Sequence, residues 1–247
     1  MNPIYIGLGV VIVVLLYYLY VSLTSGVTTL ASILDCSSAS TVIDGSKISN
    51  PTSVSFAYGL WLYVRDWSTT ETNTNNLTNV FYRAGLTSGY SLHVYLENSS
   101  PYLYAQFSPA TDGISFQKNS TNTSYTLDTE VLITSTLPLQ KWVYLTVSVD
   151  GGTYLDIYLD GKMVKTSILT QTITCEGTST SSSTIPGIVV GPFAGYITTF
   201  QSWGYALDPQ TVWTYYMKGN GTSLGTTYNM DVTLSQNSQS AGSFRLF

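Results

Sequence analysis

A chain of 247 residues can hold one large β domain or two small ones. Charged residues make up only 9% of it against 44% hydrophobic, and 20 tyrosines with many Ser and Thr give a neutral, hydroxyl-rich surface. A net charge of −5 without any basic run excludes a nucleic-acid partner, and one histidine with two cysteines and no CxxC pair excludes a structural zinc centre.

The chain opens with Ile4 to Leu23, an uncharged apolar run. As a helix it spans about 30 Å, enough for one bilayer crossing. No basic n-region precedes it and Tyr17, Tyr18 and Tyr20 fall where an interfacial aromatic belt belongs, so a retained anchor over 1–24 is expected rather than a cleaved signal peptide. The lipid bilayer, met by residues 4–23, is therefore the first expected partner. No Lys or Arg flanks the run, so the positive-inside rule assigns no orientation. Residues 25–50 read as a Ser/Thr-rich stalk, with a first strand near Thr41 to Ile48.

Val54, Phe56, Tyr58, Leu60, Leu62 and Val64 then alternate with Ser53, Ser55, Ala57, Gly59, Trp61 and Tyr63, the period of a long central strand. Asp66 to Asn79 is a polar loop, followed by short strands at Val80 to Arg83, Tyr90 to Leu96 and Tyr102 to Phe107. After a second polar loop, Ser108 to Thr126, another strand is expected at Glu130 to Ile133. Strands joined only by turns at this spacing indicate a sandwich of antiparallel sheets.

Pro138 to Lys165 is the most regular stretch. Val143, Leu145, Val147 and Val149 alternate with Trp142, Tyr144, Thr146 and Ser148, predicting a strand with one buried face. Asp150-Gly151-Gly152 turns the chain into Tyr154 to Leu159, where Leu155, Ile157 and Leu159 form the apolar phase. Asp160-Gly161 supplies residues that tolerate the positive φ of a tight hairpin. The low-complexity run Thr178 to Thr184 within Thr170 to Pro186 reads as an exposed loop. Asp208 then resembles an N-cap, with Pro209 at the first helical position, Val212, Tyr215 and Tyr216 facing the sheets, and Gly219 as the stop. The polar tail ends in Phe244-Arg245-Leu246-Phe247, an apolar terminus expected to pack on something.

Lys141-Trp142, the strand to Asp150, the turn, the next strand and Tyr158-Leu159-Asp160-Gly161-Lys162 together resemble the laminin G-like, concanavalin A-like jelly roll. The resemblance continues through Ile188-Val189-Val190-Gly191, Gly195-Tyr196-Ile197 and Tyr205-Ala206-Leu207-Asp208-Pro209. It covers about residues 50–220 and implies that these last segments form a late strand, another strand and a short helix after the sheets. The expected organisation is an anchor over 1–24, the stalk with its first strand over 25–50, an all-β antiparallel jelly-roll sandwich over 51–220, and a tail or final strand over 221–247.

Some members of that superfamily are glycan hydrolases with paired acids in the order Glu-x-Asp-x-x-Glu. Catalysis there needs two carboxyls about 5–9 Å apart across the scissile bond. No such motif occurs; the nearest fragment is Asp128-Thr129-Glu130, while Asp156 and Asp160 read as surface and turn residues, so no catalytic residue and no enzyme activity are expected. His93 lies out of phase with Leu92, Val94 and Leu96 and has no serine-centred motif beside it. Relatives bind calcium at the sandwich rim, yet Asp112, Asp150 and Asp208 stand alone in loops and read as turn-formers and caps, so neither metal nor cofactor is expected.

Five tryptophans, Trp61, Trp67, Trp142, Trp203 and Trp213, are candidates for stacking on sugar rings. Trp142 and Trp213 read as core, leaving Trp67 as the candidate for an exposed platform. Asn76, Asn98, Asn119, Asn122 and Asn220 open N-glycosylation sequons. Cys36 and Cys175 either bridge the stalk to a loop or remain two unpaired thiols, the second reading being preferred. The whole arrangement resembles the short N-anchored concanavalin A-like proteins of large DNA viruses of algae and protists. That resemblance implies a non-catalytic, single-pass minor structural protein on the virion's internal membrane beneath the capsid, with capsid or coat proteins as partners. The alternative is a membrane-displayed lectin with a glycan partner.

Overall fold

A computed structural model of the chain describes residues 11–17, 26–66, 77–84, 90–98, 100–107, 130–169, 185, 187–221, 231–236 and 239–245. Residues 11–17 form a helix, α1, with exposed side chains. The rest of the expected anchor lies outside the described residues, and among those described no helix is long and apolar enough to cross a membrane.

The sandwich is built from two six-stranded antiparallel sheets. The first contains β1 (Val27–Asp35), β3 (Phe56–Val64), β8 (Trp142–Asp150), β9 (Tyr154–Leu159), β10 (Lys162–Ile168) and β12 (Gly195–Trp203), ordered β1-β12-β3-β8-β9-β10. The second contains β2 (Thr41–Ile43), β4 (Leu77–Ala84), β5 (Tyr90–Glu97), β6 (Leu103–Phe107), β7 (Glu130–Thr134) and β11 (Ile188–Val190), ordered β2-β11-β4-β5-β6-β7. One helix, α2 (Pro209–Met217), follows β12. Past it, β13 (Asp231–Gln236) and β14 (Gln239–Arg245) pair with each other as a hairpin, so the expected polar tail is a strand pair with Phe244 opposite Val232.

The regular stretch folds as its pattern dictates. Asp160 and Gly161 both take positive φ, 48° and 74°, and join β9 to β10 by a two-residue turn between Leu159 and Lys162. The Asp160 carboxylate also accepts the Tyr144 backbone N–H at 2.9 Å, tying the turn to β8. Val143, Leu145, Val147 and Val149 enter the core between the sheets, joined there by Leu155, Ile157, Leu92, Val94 and Phe107.

The expectation of one buried face on β8 is corrected. Both phases of β8 and β3 are buried, because the outer side of the first sheet carries a second apolar cluster of Trp61, Tyr144, Tyr158, Trp203, Leu207 and Val212. Helix α2 closes it. Asp208 caps the helix by accepting from Thr211 N at 3.0 Å, and Gly219, at φ 77°, follows the cap residue Lys218. Tyr216 stacks on Trp61 at 5.5 Å and Tyr215 meets Trp203 edge-on at 4.9 Å, so the predicted inward face of the helix is the observed one. Trp213, expected in the core, is instead 40% exposed, since its phase of the helix leads over the β9–β10 turn at Gly161.

The stalk reading is likewise corrected over residues 26–50. Val27–Asp35 is the edge strand β1, paired with β12 from Val27↔Trp203 to Asp35↔Tyr196. Leu30, Cys36, Ile43 and Ile48 are buried in the core, so these residues belong to the sandwich. An edge strand packs through few side chains, which lets VTTLASILD form one without regular apolar alternation and with only Leu30 fully buried.

Candidate functional site

With the outer side of the first sheet closed by α2, the outer side of the second is the broad face left to build a site on. Alternation sends Leu92, Val94 and Leu96 of β5, Leu103, Ala105 and Phe107 of β6, and Val131 and Ile133 of β7 into the core. The opposite phase points outward: Tyr82 on β4, His93, Tyr95 and Glu97 on β5, Tyr104 and Gln106 on β6, and Glu130 on β7. Strand register then aligns them, with Tyr82 opposite His93, Tyr95 opposite Tyr104, and Gln106 opposite both His93 and Glu130.

The result is a continuous aromatic strip across three strands, β4, β5 and β6. Tyr82 meets His93 edge-on with ring centroids 5.9 Å apart, His93 lies 4.9 Å from Tyr95, and Tyr95 stacks on Tyr104 at 5.3 Å and 16°. Tyr102, 36% exposed, stands edge-on to Tyr104 at 6.3 Å and ends the strip. Such ring pairs add about 0.5–1.5 kcal/mol each beyond their buried area, so the strip is a stiff platform.

Two carboxylates flank it. Tyr95 Oη donates to Glu130 Oε1 at 2.6 Å, and Ser100 Oγ donates to Glu97 Oε2 at 2.7 Å. Burial, reinforced by the hydrogen bond to Glu130 and its charge, pushes the Tyr95 phenol far above the usual tyrosine range. The Tyr104 phenol is raised too, by burial first and then by Glu97 and Glu130. His93 is buried and its Nε2–H donates to Asn79 Oδ1 at 2.7 Å; burial pushes its pKa down to about 3, so the ring is neutral at ordinary pH. Tyr95, like His93, is only 2% exposed, so the site offers the partly exposed rings of Tyr82, Tyr104 and Tyr102 and two carboxylate acceptors.

The residues singled out from the sequence fall elsewhere. Trp67, Cys175, Asn76, Asn119 and Asn122 lie outside the described residues, as do Asp112 and Asp128. Cys36 is a buried free thiol, its backbone carbonyl accepting from Phe193 N at 2.9 Å; burial pushes its pKa up to about 12. Asn98 Oδ1 accepts a hydrogen bond from Thr78 Oγ1 in the turn after β5, and the Asn220 carbonyl accepts from Thr198 Oγ1 at 2.8 Å. Asp150 accepts from Ser55 Oγ at 2.9 Å, and Asp208 caps α2. Among the described residues no three His, Cys, Asp or Glu side chains are grouped to hold a metal ion. The strip itself escaped the sequence reading, which weighed tryptophans; its signal is the polar-aromatic phase Tyr95-x-Glu97 and Tyr102-x-Tyr104-x-Gln106.

The two packed antiparallel sheets with a helix after them define a lectin/glucanase-like β sandwich. The chain belongs to the Concanavalin A-like lectin/glucanases superfamily, whose laminin G sequence profile matches residues 37–213. No curated protein matches it in sequence. Among solved structures it is similar to the botulinum neurotoxin serotype D binding domain, at 12% identity and a TM-score of 0.51, over 81% of this chain and 47% of that one. The serotype D ligand binding domain in complex with N-acetylneuraminic acid matches with the same identity, score and coverage. The botulinum neurotoxin DC binding domain in complex with SialylT matches at 13% identity and a TM-score of 0.51, over 78% and 45%. The chain therefore spans less than half the length of these toxin domains, and at such identity the likeness is one of fold.

Proposed function

We propose that the sandwich is a non-catalytic carbohydrate-binding module that holds a glycan on the outer face of its second sheet. The observation that carries the reading is the strip in which the buried His93 and Tyr95 back the accessible rings of Tyr82, Tyr104 and Tyr102, with Glu97 and Glu130 beside them. Aromatic faces match the apolar C–H faces of pyranose rings, and carboxylates accept from sugar hydroxyls. That similarly folded toxin domains were solved with N-acetylneuraminic acid or SialylT supports the class of ligand. The carboxylates suit binding more than hydrolysis. Glu130 is level with His93 across the ladder and Glu97 lies four residues farther along β5, so their backbones are about 13 Å apart along the strands and about 10 Å across them, and each carboxylate is already engaged as an acceptor, by Tyr95 and Ser100. Glycosidase carboxyls sit about 5–9.5 Å apart.

The test is binding of the full-length chain, in detergent, to a glycan array, followed by titration of the best ligand. Tyr104→Ala should weaken binding by about tenfold at a temperature where the sandwich remains folded, while the loss of its contacts with Tyr95 and Tyr102 lowers the melting temperature by a few degrees. Trp213→Ala, on the far side of the molecule, should leave it unchanged. An array without a bound glycan, or a Tyr104→Ala variant that binds as wild type, refutes the reading.

The second reading is an anchored structural protein joining a viral internal membrane to its coat. One observation favours it: the α1 side chains, Val11 to Tyr17, are all uncharged and 47–69% exposed, an apolar surface suited to lipid. Retention of the chain in membranes after alkaline carbonate washing, with cross-links from the sandwich to a coat protein, is its expected outcome. Release of the intact chain by that wash refutes the anchor.

A further inference from the structure

We propose that this face selects uncharged pyranose glycans and rejects those ending in an anionic sugar, with Glu97 and Glu130 setting the preference; the proposal rests on the glycan-binding reading above. The charge census of the second sheet carries it. Its six strands contain a single Lys or Arg, Arg83. That side chain belongs to the core-facing phase, opposite Leu92, and is 1% exposed. Its guanidinium is turned inward, Nη2 donating to the Pro51 carbonyl at 2.6 Å and Nη1 to Tyr58 Oη at 3.3 Å. His93, the remaining basic group on these strands, is buried 2% exposed in the strip, and desolvation keeps its ring neutral.

Among the described residues, then, the outward side of these strands has two anions and no cation. An uncharged pyranose can lay its C–H face on Tyr104 and Tyr102 while its hydroxyls donate to the carboxylates, bonds strengthened by the acceptor's charge. A terminal sialic acid or sulfate brings its own anion to the same place. It meets two like charges at partly desolvated range, with no guanidinium or ammonium on the sheet to receive it. At the effective dielectric of a protein surface, one such contact weakens binding on the order of tenfold or more. The net charge of −5 acts in the same direction at longer range.

The experiment compares matched glycan pairs, identical except for a terminal N-acetylneuraminic acid or sulfate, titrated against the full-length chain in detergent. Uncharged members should bind, and their anionic counterparts should bind at least about tenfold more weakly at low salt, the gap narrowing as salt screens the repulsion. The Glu97→Gln/Glu130→Gln variant, which keeps side-chain size, should close much of the gap. Glu97→Gln alone and the salt series on wild type serve the same purpose if the double variant does not fold. Anionic members that bind as tightly as their partners, or a gap untouched by both salt and substitution, overturn this proposal while leaving the glycan reading standing. Binding of neither member overturns the glycan reading, and this proposal with it.

Discussion

Gly59→Ala tests whether the outer side of the first sheet is a true second core. Gly59 sits mid-strand in β3, opposite Thr146 of β8 and Gln201 of β12, and its φ is not positive, so a side chain there meets no backbone strain. Space is what it lacks. A Cβ would lie 2.8 Å from Tyr144 Oη and 3.0 Å from Cη2 and Cζ3 of Trp203. Both side chains are 1% exposed beneath α2, with Trp61 and Tyr215 packed against their rings, so neither can swing into solvent. Overpacking of this kind costs about 1–3 kcal/mol. Replacing glycine restricts the unfolded chain and returns about 0.4–1 kcal/mol. The central values leave a net loss of about 1.3 kcal/mol, or about 3–5 °C in melting temperature for a domain of this size. Scanning calorimetry on the two proteins reads it directly. Tyr144→Phe in the Gly59→Ala background removes the nearer atom and should recover part of the loss, with Trp203 keeping the remainder. A melting temperature equal to or above wild type would show that the helix lies loosely on this face, and the two-core reading would fail.

Asp208→Ala removes the side chain that accepts from both Thr211 N and Thr211 Oγ1, and should cost about 1 kcal/mol, read as a lower urea midpoint with a red shift in tryptophan emission as α2 frays from Trp203. The same midpoint with an unchanged spectrum would mean the cap does not hold the helix. His93 gives a pH signature: its ring stays neutral in the folded state down to about 3, whereas an unfolded histidine protonates near 6.5. The unfolded chain binds more protons between those values, so stability should fall as pH drops from about 6.5 toward 3, by up to about 1.4 kcal/mol per unit. His93→Gln should flatten that part of the denaturation profile relative to wild type; parallel profiles would place His93 in solvent.

What the sequence reveals depends on how local the cause is. The β8–β9–β10 meander is legible because its alternation and its Asp160-Gly161 turn are properties of consecutive residues. The same is true of α2, where Asp208, Pro209 and Gly219 mark the ends and Val212, Tyr215 and Tyr216 share a side. In β1 the cause is distant: Val27–Asp35 is a strand because β12 offers it a ladder, and its Thr, Ala and Ser do not announce that. The second buried side of β3 and β8 had a trace in the aromatic phase of Trp61 and Tyr144, but burial there requires a helix that arrives more than sixty residues later in the chain. The strip is the most non-local feature. Each tyrosine sits in the polar phase of its own strand, and only the order β4-β5-β6-β7 with its register brings Tyr82, His93, Tyr95 and Tyr104 into one line.

The asymmetry between the two outer faces ties these elements to function. On the first sheet the outward phase is bulky and largely apolar, Trp61, Tyr144, Tyr158 and Trp203, and leaving it in water would waste several kcal/mol of burial per ring; the chain spends α2 to cover it. On the second sheet the outward phase buries His93 and Tyr95 at its centre but leaves Tyr82, Tyr104, Tyr102 and the two carboxylates partly in water, so its margin can present ring surface and acceptors to a partner that is itself half apolar and half hydroxylated. The apolar run at the amino terminus leads into β1, which lies in the first sheet, the layer opposite the strip. The strip lies on the other layer of the sandwich from β1. Binding there needs no change in how the first sheet packs, which is why Tyr104→Ala and Gly59→Ala should separate: the first loses ligand even in the fraction still folded, whereas the second loses stability and, in the fraction still folded, keeps ligand.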